Sequence, residues 1–152
     1  MDRQANQSRG GGGRRGNNSG PRIPQELNKH KRTIIKMNSL GNENAEEVQG
    51  LLTDVKAWFE KNHEKINATF IRKLFYLIKG AKELIDLKLK VPEILYYAAR
   101  QQDKERTISI SLAMLYEELI NQAETEEHVL SIHQFAECTI AYHTYFKEQS
   151  KR

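Results

Sequence analysis

From Glu43 onward, apolar residues recur at spacings of three and four, and no window alternates apolar with polar residues as a half-buried strand would. Val48, Leu51, Leu52, Val55, Trp58 and Phe59 form a first stripe on one helix face, closed by Asn62-His63. Asn67 or Thr69 can cap a second helix carrying Phe70, Ile71, Leu74, Phe75, Ile78, Ala81 and Ile85. Pro92 suits the first turn of a third helix, over 92–102, where its missing N–H costs nothing. Thr107 can start a fourth, with Ile108, Leu112, Leu115, Leu119 and Ile120 on one side. Thr125 caps a fifth, whose stripe is Val129, Ile132, Phe135, Ala136, Ile140 and Phe146. Glu126 and Glu127 in its first turn, and Lys147, Lys151 and Arg152 near its end, complement the helix dipole. The fold class expected is all-α: a compact bundle of about five helices over residues 43–149, with short connections.

Residues 1–42 read differently. The first 32 hold eight Lys or Arg against two acids, a net of +6, whereas the remaining residues hold 16 basic and 18 acidic groups, a net of −2. Within that segment Ser8 to Gly16 is an Arg/Gly tract with almost nothing to bury, so a disordered basic arm is expected. Ile34, Ile35, Met37 and Leu40 can dock on the body before Gly41-Asn42 breaks the pattern, so residues 1–42 are read as a disordered or loosely docked arm. A cationic arm on a near-neutral body points to a polyanionic partner, nucleic acid first. No apolar run approaches the roughly 20 residues that span a bilayer, and no secretory signal is evident, so no membrane partner and a cytoplasmic location are expected. The single cysteine, Cys138, excludes an internal disulfide.

Candidate chemistry is sparse. His128, His133, Cys138 and His143 lie five residues apart, and five residues of helix rotate each about 140° from the last. Zinc ligands must converge on one point, so the expectation is surface histidines beside a semi-buried thiol, with no metal. Helical partners of Cys138 at three and four residues are Gln134, Phe135, Ala141 and Tyr142, none of them a base. The carboxylates occur as runs, Glu46-Glu47, Glu117-Glu118 and Glu126-Glu127, which suit solvated faces rather than acid–base pairs. The glycines of the arm lack the strand, helix and Lys of a phosphate loop. No enzyme and no cofactor are expected. Basic and aromatic residues are more informative. Arg72 and Lys73 flank the stripe of the second helix, Lys79 and Lys82 extend its basic character, Lys88 and Lys90 precede Pro92, and Tyr96 and Tyr97 lead to Arg100. Gathered in space, such residues contact phosphates and offer stacking surfaces.

Three ordered blocks carry a resemblance. Thr69-Phe70-Ile71-Arg72-Lys73-Leu74 opens a helix, Ile94-Leu95-Tyr96-Tyr97-Ala98-Ala99-Arg100-Gln101 ends one, and Phe135 to Phe146 contains Cys138-Thr139-Ile140-Ala141-Tyr142 followed by Tyr145. Together they resemble the small subunit of type III-A CRISPR (Csm) effector complexes, over roughly residues 66–147. Where that family has a Tyr-x-Ala-Gly-Arg helix end, this chain has Tyr96-Tyr97-Ala98-Ala99-Arg100. The resemblance implies a small, helical, non-catalytic subunit. Its copies stack as an inner filament beside the other Csm subunits and touch the guide RNA and target RNA backbones. It places RNA contacts at Arg72, Lys73 and Arg100, to which helical geometry adds Lys79 and Lys82. The alternative reading is a free-standing RNA chaperone or annealing protein that binds through its Arg/Gly arm.

Overall fold

The computed structural model describes residues 20–151. Among them the secondary structure is entirely helical: α1 (Gln25–Asn28), α2 (Lys31–Ile35), α3 (Ala45–Asn62), α4 (Ala68–Gly80), α5 (Leu84–Leu89), α6 (Val91–Ala99), α7 (Asp103–Gln122) and α8 (Glu126–Ser150). The five longer helices are those expected from periodicity, and α1, α2 and α5 are additions. The Arg/Gly tract lies outside the described residues.

α8 is the central element. It packs against α3 and α4 along its length and against α2 and the turn Met37–Ser39 near its start, while α7 lies against α6. Val129, Ile132, Phe135 and Ala136 of α8 join Leu51, Val55 and Phe59 of α3, Phe70, Leu74 and Ile78 of α4, and Leu112, Leu115, Tyr116 and Leu119 of α7 in one core. Tyr116 is fully buried and its hydroxyl meets the Thr139 hydroxyl at 3.0 Å, so its polar atom is paired inside that core.

Local signals explain most boundaries. The Asn67 side chain accepts hydrogen bonds from the Thr69 and Phe70 N–H groups at 2.8 and 3.2 Å, fixing the start of α4. Thr125 does the same for the His128 N–H at 3.1 Å and starts α8. Pro92 sits in the first turn of α6. α7 begins at Asp103 rather than at Thr107, with Asp103 and Glu105 in a first turn that favours negative charge. α6 ends at Ala99, three residues before the expected Gln102, and Arg100 closes it at φ −88°, so the turn needs no left-handed residue.

Three further expectations are corrected. The second helix does not reach Ile85. The chain leaves α4 at Ala81 in an extended conformation, and the Ala81 carbonyl there meets His133 Nε2 at 2.8 Å. Second, His133 and His143 are not surface residues: they are 7% and 1% exposed. His143 Nε2 donates to the Ile66 carbonyl at 2.9 Å, just before α4. The two rings thus tie both ends of α4 to α8. Third, tight packing begins upstream of residue 43, at Leu27 as well as at the Ile34 and Ile35 expected to dock. Leu27 and Ile34 are fully buried and Ile35 nearly so. Polar ties fix the same segment: Thr33 Oγ1 donates to Glu47 at 2.7 Å, His30 pairs with Asp54 at 2.7 Å, Lys31 with Glu118 at 3.0 Å, and Ser131 Oγ accepts the Asn38 N–H at 2.9 Å. Burying Leu27 and Ile34 alone supplies about 1.5–3 kcal/mol each, enough to help order a short segment that periodicity cannot detect.

Candidate nucleic-acid interface

The start of α4 and the end of α6 lie side by side and position two cations. Asn67 sets the first turn of α4 and buried Phe70 anchors it, which leaves Lys73 exposed one turn further on. On α6, buried Ile94 and Ala98 face the core and turn Tyr96 and Arg100 outward, while Tyr97 is half-buried against the core's edge. Lys73 Nζ lies 4.8 Å from the centre of the Tyr97 ring. The Arg100 guanidinium lies 5.4 Å from the Tyr96 ring centre, and its Nη1 donates to the Tyr96 hydroxyl at 2.6 Å. The two tyrosines meet edge to face at 5.4 Å.

Lys73, Tyr97 and Arg100 border a cleft of about 540 Å³ that Asn67, Gln102 and Glu105 also line. Two cations face one carboxylate. Among the described residues, neither Lys73 nor Arg100 belongs to an ion pair. A cation over an aromatic face at an exposed site gains about 0.5–1 kcal/mol, enough to bias its position without consuming its hydrogen-bond donors. The arrangement suits an anion that presents several oxygens, such as a phosphodiester.

The other expected contacts lie elsewhere. Arg72, next to Lys73, points about 100° around the helix axis into a second cleft, shared with Ile71, His143, Lys147, Glu148 and Lys151. Lys79 is paired with Glu137 at 2.7 Å, which offsets its charge. Lys82 Nζ donates to the Lys79 carbonyl at 3.3 Å, at the far end of α4. Lys88 Nζ donates to the Ile120 carbonyl at 2.8 Å and so caps the end of α7. Lys90 pairs with Glu93 at 3.9 Å. The structure therefore brings Lys73 and Arg100 together and sets Arg72, Lys79 and Lys82 apart from them.

Sequence reasoning missed Asn67 and Gln102 as cleft residues, and Lys147 beside Arg72. The cap signal of Asn67 was visible, but its place beside Arg100 depends on how α4 and α6 pack. Among the described residues, no three His, Cys, Asp or Glu side chains are arranged to hold a metal ion. Burial and the neighbouring Glu137 push the Cys138 thiol above its usual range, which disfavours the thiolate. None of the described helices is long and apolar enough to cross a membrane. No family model, curated protein or solved structure matches the chain.

Proposed function

We propose that this chain is a non-catalytic, RNA-contacting structural subunit of a type III-A CRISPR ribonucleoprotein, acting in the cytoplasm. It stacks with further copies and other Csm subunits along the paired guide and target RNAs. The observation that carries the reading is the cleft in which Lys73 and Arg100, from two different sequence blocks of the resemblance, meet over adjacent tyrosines. Their partners are ring faces and a hydroxyl, so their charges stay available to phosphate oxygens. A subunit of this kind has no need to read bases, because pairing between guide and target supplies specificity.

The competing reading gives RNA binding to the Arg/Gly arm. A discriminating truncation has to stop at residue 19, because Leu27 and Ile34 belong to the core. The full chain and the chain lacking residues 1–19 are titrated against single-stranded RNA, each with and without Lys73→Ala and Arg100→Ala. Retained binding after truncation, lost on substitution, is the expected result. Binding that disappears with residues 1–19 and ignores the two substitutions belongs to a free-standing RNA chaperone.

A further inference from the structure

The first turn of α4 separates two basic clefts. On one side lie Lys73 and Arg100. On the other lie Arg72, Lys147 and Lys151, with Glu148 as the one carboxylate, around a space of about 300 Å³. Arg72 and Lys147 are in no ion pair among the described residues, and Lys151 approaches Glu148 at 3.4 Å. The floor of this second cleft is buried: Ile71 is 2% and His143 1% exposed, and His143 Nε2 is committed to the Ile66 carbonyl. Cations therefore rim a base with no Phe, Tyr or Trp among its lining residues. The ridge between the clefts carries Ala68 and Thr69, both small, over the positive end of a 13-residue helix. A chain of phosphates can lie close against such a ridge.

We propose that one RNA strand crosses the first turn of α4, its phosphates held by Lys73 and Arg100 on one side and by Arg72, Lys147 and Lys151 on the other. The inference rests on the RNA-contacting reading above and adds a path and two new contact residues, Lys147 and Lys151. An α-helix with its side chains is about 10–12 Å across, so one mononucleotide cannot fill both clefts. Tyr97, the tyrosine that lines the first cleft, already has Lys73 over a ring face, so contact along this path is to the backbone.

The test uses the full chain, oligouridylate of about 20 nucleotides and uridine monophosphate, and two paired variants, K147Q/K151Q and K73Q/R100Q. Each single-strand phosphate contact adds about 0.7 to the slope of log affinity against log salt. Each pair should therefore lower the slope by about 1.4 and weaken oligonucleotide binding. K147R/K151R should restore both, because it keeps the charge. Competition by uridine monophosphate for the Lys73–Arg100 cleft should be unchanged in K147Q/K151Q. If K147Q/K151Q binds the oligonucleotide with unaltered affinity and slope while K73Q/R100Q does not, the path is wrong and the RNA-contacting reading stands. A loss in K147Q/K151Q alone also overturns the path. If neither pair matters, or the unaltered chain does not bind, both readings fall.

Discussion

Lys73 and Arg100 rest on tyrosine rings, and His133 and His143 are buried on main-chain carbonyls; the two pairs do opposite work. The cations hold little of the fold together. Lys73→Ala should shift stability by no more than about 1 kcal/mol, the value of an exposed cation–π contact, as read by the urea midpoint, while weakening RNA binding. The histidines are structural. His143→Leu removes the donor to the Ile66 carbonyl and leaves a buried acceptor unpaired, which should cost about 1–3 kcal/mol. His143 also makes stability depend on pH. Burial holds its imidazole below the usual value of 6.5, and Lys147 and His63 push the same way, against hydrogen bonds that oppose the shift. The unfolded chain then takes up more protons than the folded one as pH falls through about 6.5, so this contribution is present above that pH and lost below it. Thermal midpoints should fall between about pH 7.5 and pH 5.5 in the unaltered protein, and fall less in His143→Leu. A five-residue spacing gave no hint of these roles, because each ring's partner lies on a remote loop.

At the scale of elements, the five longer helices were legible because each carries a stripe of several turns or a recognisable cap. α1 and α2 were not. They span four and five residues, and their contribution is a few side chains in a basic, polar context. Leu27 sits between Pro24 and Lys29 without apolar periodicity, yet it is fully buried. Leu27→Ala should therefore cost about 2–5 kcal/mol, measured by urea denaturation, whereas a residue in a loose arm would cost nothing. The end of α4 was misplaced for a related reason. Ile85 continues the three-and-four spacing, but it lies on α5 and is 59% exposed. The start of α4 was legible from Asn67. Asn67→Ala should lower stability by about 1 kcal/mol, and because that turn borders both clefts, the same change should weaken RNA binding as well.

For the whole molecule, net charge was a poor guide to where the cations act. The +6 of residues 1–32 drew attention to the arm, while residues 33–152, at −2 overall, carry the cleft. Part of the positive charge near residue 30 serves the fold instead: Lys29 and His30 both reach Asp54, and Lys31 reaches Glu118. On α4 and beyond it, Lys79 is spent on Glu137 and Lys88 on the end of α7. Which lysines stay available is a property of packing, and composition does not report it. The central claim is that the folded body contacts RNA through Lys73 and Arg100. The most direct measurement is the salt dependence of single-stranded RNA binding by the full chain and by its K73A/R100A variant, with the thermal midpoint of each as a control. The expected result is weaker binding, a slope lower by about 1.4 and a midpoint little changed. An unaltered affinity and slope in a folded variant would contradict the claim.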